Sequence, residues 1–576
     1  MLSLIQRLLP KNSLQYREET SRRIVWGHWF ALFNIVIALS LSSRYAFNAD
    51  WPNTLLGKLY FFLSLFGHFS FVVFAFYLLL LFPLSFVIGN TRTFRGLSVV
   101  VATIGMTMLL VDTEVFKQFY LHLSPLVWDL LVNPDESELS RQWQLLFVPM
   151  PLILLAEMLY SRWCWQKLRS FNRQKWGKYV ATFFLLAFMG THLFYAFADM
   201  SLYRPVTAQR ANYPLSYPMT ARSFLEKHGL IDRESFDQTI EENGRLDGFF
   251  LNYPKAHLHF DNKPDNINLL FINLSGLTDS VITPELMPNL SELSTHSRRF
   301  TQHYTAGDTE MAGVASLFYS LSGKYVDAIL TKKSPPVLIS RLQNLDYQFG
   351  LFSHNSFANP IYQALFENFA LPQAKDSVDA LRQWNLWLET EKTSAPFFSY
   401  LDLAIGDIHN EKHVKFVDSQ LRFIWDRLTA KGLDKNTFIL LTSDIGQQST
   451  TDNSFDAQST KVPMLMFWQG DSGIYNGMSS HLDIAPTLLS HFFGMTSPLT
   501  LYSQGIDLTK ENERKWLLSA SYNWDVAIMP NGEQYQINKK GDFRHYNENG
   551  IKDADVRPPL ALFFQLIHQS NQFVEK

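Results

Sequence analysis

The sequence predicts a helical membrane domain of five spans followed by an exported domain of the α/β class. Three observations carry this expectation. Nearly all long apolar runs precede residue 200. Although 47% of the 576 residues are apolar, the mean hydropathy is close to zero, so two unlike halves are being averaged. Beyond residue 266, short strand-type apolar runs alternate with amphipathic stretches, the pattern of a mostly parallel sheet covered by helices. The net charge is −3, which gives no electrostatic footprint for nucleic acid.

Spans are expected at 24–41, 59–81, 97–111, 145–160 and 179–197, each about long enough to cross ~30 Å of hydrocarbon. The third is short and closes on Asp112 and Glu114; the second runs on toward Pro83, where it can tilt or kink. Residues 1–20 are polar and charged and lack the apolar core of a cleavable signal. Basic residues fix the orientation. Arg7, Lys11, Arg17, Arg22 and Arg23 precede the first span, Arg92 and Arg95 follow the second, and Arg162 to Lys178 follow the fourth, whereas the opposite loops carry Asp50, Asp135, Glu136 and Glu138. The amino terminus is therefore expected in the cytoplasm and everything after residue 200 outside, which in a Gram-negative cell is the periplasm. His68 and Glu157 are ionisable groups inside spans and are expected to face the bundle interior. The single cysteine, Cys164, leaves the exported part without a disulfide, so that part must hold together by core burial.

Three domains follow: 1–200 in the membrane, 201–265 an interfacial linker, and 266–576 the exported domain. In the linker, Pro205, Pro214 and Pro218 predict an extended path along the membrane surface. Thr220 then reads as the N-cap of a short amphipathic helix that stops at Gly229. Arg204, Arg210 and Arg222 lie on the outer side, against the usual placement of basic residues. A helix amino end with arginines nearby suits phosphate, and Tyr213, Leu215, Tyr217, Met219 and Phe224 could lie against acyl chains. Two readings stand: an interfacial anchor without lipid specificity, or a pocket for a phosphorylated lipid formed by Met219, Thr220, Ala221 and Arg222, with Arg210 nearby.

In the exported domain, strands are expected at 268–274, 347–353, 397–403, 436–442 and 462–468, and helices within 284–294, 311–321 and 413–431. The strand at 436–442 ends in Asp444-Ile445-Gly446, a carboxylate at the carboxyl end of a strand, where α/β folds place their sites. Thr309, after Gly307 and before a helix, could present its hydroxyl at a helix amino end.

The runs Phe416-Val-Asp-Ser-Gln-Leu-Arg, Asn436-Thr-Phe-Ile-Leu-Leu-Thr-Ser-Asp444-x-Gly446, Lys461-Val-Pro-Met-Leu-Met-Phe-Trp and His481-Leu-Asp-Ile-Ala-Pro-Thr resemble the sulfatase-type alkaline-phosphatase superfamily. The five-span amino half and Pro214-Leu-Ser-Tyr-Pro-Met-Thr-Ala-Arg222 resemble the YejM/PbgA family of Gram-negative inner membranes, and this likeness extends over essentially the whole chain. The resemblance implies a five-helix transmembrane domain followed by a sulfatase-like periplasmic domain. It also implies lipopolysaccharide binding through lipid A, with cardiolipin as an alternative lipid. The implied role is control of lipid A synthesis by restraining the lipopolysaccharide-assembly adaptor that directs a membrane protease to the committed-step deacetylase. Active members of the superfamily bind a divalent metal through an acid after the first strand, the nucleophile, and an Asp-His pair. Thr309 matches the threonine nucleophile of lipoteichoic-acid-synthase-like members, and Asp444 the metal-ligand aspartate. Ser275 stands where the first acid is expected and Ile445 where the histidine is expected, which removes both charge and ligand geometry. Asp279 lies four residues from the vacated acid position. The expectation is a pseudo-hydrolase with no cofactor, Thr309 and Asp444 being vestigial. The alternative is a threonine-nucleophile phosphatase or phosphoethanolamine-type transferase using Mg or Mn.

Overall fold

The computed structural model describes residues 13–48, 51–119, 121–125, 127–128, 147–174, 176–220, 227–228, 233–245, 250–261, 264–390, 395–449, 451–510, 514–539, 541–553 and 556–575. The chain divides into two compact units, one up to residue 236 and the other from 237 to 575.

In the first unit the long helices are α1 (Ser13–Asn48), α2 (Leu55–Phe76), α3 (Thr91–Phe119), α4 (Met150–Gln166) and α5 (Trp176–Met200). Four segments, Gln15–Asn48, Leu55–Val87, Thr91–Gln118 and Trp176–Met200, are long and apolar enough to cross a membrane. α4, with 17 residues, is about 25 Å long at 1.5 Å per residue. The expected bend at Pro83 takes a specific form: α2 passes through a π-helical turn, Tyr77–Leu81, into Phe82–Val87. Proline lacks the N–H that would bond one turn back and crowds the carbonyl there, and the wider turn relieves both. α3 does not stop at Asp112 as expected. The acids continue the helix because they find partners: Asp112 accepts from Tyr45 Oη, from the Leu123 N–H at 2.5 Å and lies 2.9 Å from His122 Nδ1, while Glu114 pairs with Arg44. Close helix contact comes from a small residue: a Cβ on Gly67 would meet the Ala187 backbone of α5 at 2.8 Å, and Thr191 Oγ1 donates to the Leu63 carbonyl at 3.1 Å. The two ionisable groups singled out in the sequence, His68 and Glu157, face the interior of the helical unit as expected. His68 Nε2 lies 2.7 Å from the Pro214 carbonyl, and fully buried Glu157 accepts from Asn34 Nδ2 at 3.3 Å.

The second unit is built on a seven-stranded sheet and a smaller four-stranded one. The large sheet uses β1 (Asn268–Ser275), β2 (Arg298–Tyr304), β3 (Gln348–Ser353), β4 (Phe397–Ala404), β5 (Thr437–Thr442), β6 (Met464–Phe467) and β7 (Gly473–Ser480), in the order β3-β4-β1-β5-β6-β2-β7. Only β6 runs antiparallel to its neighbours. The five expected strands are present, and β2 and β7 are additions that the apolar pattern does not announce. Alternation decides the two faces. Leu269, Phe271, Phe398, Tyr400, Phe438 and Leu440 pack against Val314, Leu317 and Phe318 of α6 (Glu310–Tyr319). Leu270, Ile272, Leu274, Leu401, Ile439 and Leu441 pack against Val414, Val417, Leu421 and Ile424 of α7 (Glu411–Ala430). With both faces covered, β1, β4 and β5 are continuous apolar runs. In α7, buried Asp418 accepts from Asn289 N at 2.9 Å and Leu290 N at 2.8 Å, so it holds the amino end of the helix Pro288–Ser294.

The small antiparallel sheet comprises β8 (Leu517–Ala520), β9 (Trp524–Ile528), β10 (Gln534–Asn538) and β11 (Phe543–Tyr546). It follows α8 (Ile484–His491) and precedes α9 (Leu560–Ser570). Lys324 ties it to the main body: Nζ lies 2.9 Å from both Asp525 Oδ2 and Ser570 Oγ, a buried pair whose polar atoms are satisfied.

Candidate functional site

The carboxyl ends of β1, β3, β4 and β5 bring together Asn273, Ser353, His354, Asp402 and Asp444. Register explains the meeting: Asn273 stands opposite Asp402 on one side and Thr442 on the other. Its amide bridges the two neighbours, Nδ2 donating to Asp402 Oδ1 at 2.8 Å and Oδ1 accepting from the Asp444 N–H at 2.7 Å. Asp402 Oδ2 accepts from Ser353 Oγ at 2.6 Å and lies 3.4 Å from His354 Nδ1. Asp444 Oδ1 accepts from the Ile445 N–H at 2.9 Å. Its Oδ2 is buried without a formed hydrogen bond.

α6 closes the cleft from above. Thr309 is its N-cap, with extended backbone, and Oγ1 accepts from the Ala312 N–H at 3.2 Å. Thr309 is exposed, so its hydroxyl is both accessible and engaged in capping. Glycine is required at 313, because a Cβ there would collide with the Asp444 carbonyl. Gly276, with φ +84°, turns the chain after β1 and donates to Ser443 Oγ at 3.1 Å, locking the two loops together.

Electrostatics at the floor are those of neighbouring buried acids with His354 beside them. Burial, then the charges of Asp402 and Glu310, push the Asp444 carboxyl up to about 8; the nearby Ser275 hydroxyl and the Ile445 N–H oppose this only weakly. Burial and Asp402 also raise Glu310. Burial works against the His354 cation, but Asp402, Glu310 and Asp444 outweigh it and raise its pKa. His481 is structural: fully buried, it contacts the Gly313 carbonyl at 3.2 Å and Thr442 Oγ1 at 3.4 Å, and burial lowers its pKa to about 4. His409 is exposed. Asp279 does not replace the missing acid, since its Oδ1 is held by Arg299 Nη2 at 3.1 Å.

A divalent cation fits this donor set poorly. Ser275 and Ile445 supply neither carboxylate nor imidazole, and among the described residues no three His, Cys, Asp or Glu side chains gather as a metal ligand set. The orphaned Asp444 Oδ2 and His354 Nδ1 point the other way. The sequence alone does not single out Asp402, Glu310, His354 or Asn273. Asp402 carries the same signal as Asp444, an acid closing an apolar strand run.

In the first unit, residues 204–220 form a collar. Arg204–Thr207 is a helical turn and Ala208–Asn212 a 3-10 turn. The collar is tethered by Gln209 Nε2 to the Gly57 carbonyl (3.0 Å), His122 Nε2 at the Ala211 carbonyl (2.9 Å) and the Met219 N–H to His192 Nδ1 (3.0 Å). Tyr213 is buried and stacks on His68, so it does not face acyl chains as expected. Leu215, Tyr217 and Met219 are 66, 71 and 50% exposed. Arg210 and Thr220 are exposed as well. Ala221, Arg222 and Phe224, with most of the expected 220–229 helix, lie outside the described residues.

Comparison with known proteins accords with both halves. The family model described as a domain of unknown function (DUF3413) matches residues 12–260, and the one described as Sulfatase matches residues 411–495. An uncharacterized protein of Haemophilus influenzae is 46% identical over 578 residues, covering 98% of each chain. The inner membrane protein YejM of Salmonella typhi is 40% identical over 580 residues, covering 97% of this chain and 99% of its own. Among solved structures, an alkaline phosphatase superfamily protein from Vibrio parahaemolyticus aligns with a TM-score of 0.47 at 14% identity, over 60% of this chain and 98% of its own. With 40% identity sustained along nearly the whole of both chains, this protein belongs to the family of the inner membrane protein YejM.

Proposed function

We propose that the protein is an inner-membrane sensor of lipopolysaccharide that regulates lipopolysaccharide synthesis. Five helices, α4 included, cross the bilayer with the amino terminus in the cytoplasm and the α/β domain in the periplasm. Lipid A is held at the collar by Met219, Thr220, Ala221 and Arg222, with Arg210 close by. The membrane helices restrain the lipopolysaccharide-assembly adaptor and so set proteolysis of the committed-step deacetylase. The hydrolase-type domain uses no metal and does no chemistry; Thr309 and Asp444 are relics.

The collar carries this reading. Three large apolar side chains, Leu215, Tyr217 and Met219, stay open in the same collar segment as exposed Arg210, although the backbone is tethered at Met219. Such a patch suits acyl chains, with arginine for the phosphate. A second reading, favoured by the orphaned Asp444 Oδ2 next to Asp402 and Glu310, is a Mg- or Mn-dependent phosphatase or transferase with Thr309 as nucleophile. Titrating full-length protein in nanodiscs with lipopolysaccharide and with cardiolipin separates these. Arg222→Ala should weaken lipopolysaccharide binding about tenfold, the cost of one charge-assisted phosphate contact. Unchanged affinity removes the collar site. Tighter binding of cardiolipin than of lipopolysaccharide reassigns the lipid. Metal-dependent phosphate release that Thr309→Ala abolishes establishes the enzyme instead.

A further inference from the structure

A cavity of about 690 Å³ opens on the second unit between the end of β7, residues 499–506, residues 514–518 and α9. It shares no residue with the Asp402–Asp444 cluster. Lys255, Arg514, Lys515 and His568 line it, and no carboxylate does among the described residues. In a chain whose net charge is −3, four basic side chains in one hollow with no acid among its described lining residues depart from the average surface.

The back wall is built and rigid. Asp483 is fully buried and accepts from the Ser480 N–H (2.7 Å), the Ile506 N–H (2.9 Å) and both terminal nitrogens of Arg514 (2.7 Å each). Arg514 is thereby fixed in one orientation, with two of its five N–H donors engaged on Asp483 and the rest available to a ligand. At the rim, Lys515 is exposed and forms no ion pair with a described residue. Lys255 rests its ammonium 4.8 Å over the Phe573 ring, also next to the cavity. Trp516 adds a half-buried aromatic wall, and Thr500, Gln569 and Gln572 add neutral hydrogen-bonding groups. The volume is that of a small-molecule pocket.

We propose that this cavity binds a phosphate or carboxylate carried on a polar scaffold of about sugar size. Arg514 is the preorganised contact for the oxyanion and Lys515 the closing one. The scaffold lies along Trp516 and the amide side chains. The anion comes either from a soluble ligand or from a lipid headgroup. Calorimetric titration of the full chain in detergent with glucose 6-phosphate, glucose and short-chain phosphatidylglycerol distinguishes these sources. Binding of glucose 6-phosphate but not glucose assigns a soluble ligand, and binding of phosphatidylglycerol alone assigns a headgroup. In either case Lys515→Glu should weaken binding by about tenfold or more, Lys515→Arg should retain it, and Lys412→Glu, the same charge change on α7, should not alter it. Lys255→Gln should weaken it less. Equal affinity in Lys515→Glu and the unaltered protein, or no binding of either anionic probe, overturns the proposal.

Discussion

At the ends of β1, β3, β4 and β5, Asn273, Ser353, Asp402 and Asp444 turn polar atoms on one another, whereas the collar leaves Leu215, Tyr217 and Met219 in the open. Covering each such apolar side chain is worth roughly 1.5–3 kcal/mol, so the collar forgoes several kcal/mol that a lipid surface would return. The cleft has already formed most of the hydrogen bonds its groups can make, leaving Asp444 Oδ2 and His354 Nδ1 as the atoms among its described residues without one. The two regions therefore differ in kind: the cleft turns polar groups on one another, whereas the collar presents apolar side chains, as the helices of the same unit do at Phe47, Leu55 and Leu79.

The largest effect should come from closing the cleft against itself. α6 approaches Asp444 so tightly that a Cβ on Gly313 would overlap the Asp444 carbonyl. Backbone cannot yield as a flexible side chain can, so Gly313→Ala should cost about 3 kcal/mol or more. Denaturant unfolding of the full chain reads this directly. A cost under 1 kcal/mol means that the cleft can open, and the contrast between a shut cleft and an open collar fails.

A smaller effect, with a distinctive pH signature, should come from Asp444. Its carboxyl is pushed up to about 8 from an ordinary 3.8, first by burial and then by Asp402 and Glu310. Between those values the folded chain holds a proton that the unfolded chain has released, so this group makes stability fall as pH rises from about 4 to about 8 and level off above. Asp444→Asn should remove that slope. The variant should be more stable than the unaltered protein by about 1–3 kcal/mol at pH 8, and the two should converge near pH 4. Thermal melts across the range measure this. If millimolar Mn stabilises the unaltered protein above pH 8 and leaves Asp444→Asn unmoved, the cleft does hold a cation.

These features were unequally legible in the sequence, for physical reasons. β1, β4 and β5 are buried on both faces, so their apolar runs stand out, and the acid that closes β5 stands out with them. Asp402 closes β4 in the same way and could have been found on that signal. Asn273 could not, because one amide inside an apolar strand means nothing until its two neighbours are known. β2, Arg298-Arg-Phe-Thr-Gln-His-Tyr304, mixes charged and polar side chains, and β7 is an edge strand with its first half exposed. Neither produces an apolar run. The strands of the small sheet are only four or five residues long. In the collar, Tyr213 and Leu215 are both expected against acyl chains; Tyr213 is instead buried in the helices while Leu215, whose backbone is left-handed at φ +57°, stays out.

The smallest effect decides what Thr309 is for. Its Oγ1 caps α6 at the Ala312 N–H, so Thr309→Ala should cost about 1 kcal/mol of stability, as loss of a helix N-cap does. Thr309→Ser keeps the oxygen and should restore most of it. A capping role predicts that both variants bind lipopolysaccharide as the unaltered protein does, because the cap lies on α6 and the proposed lipid contacts lie on the collar. A nucleophile predicts another pattern: any metal-dependent phosphate release would vanish in Thr309→Ala and survive in part in Thr309→Ser. Stability and turnover measured on the same two variants therefore separate a hydroxyl that ends a helix from one that attacks phosphorus. A loss near 1 kcal/mol in Thr309→Ala that Thr309→Ser restores, with lipopolysaccharide binding unchanged in both, assigns the hydroxyl to the cap.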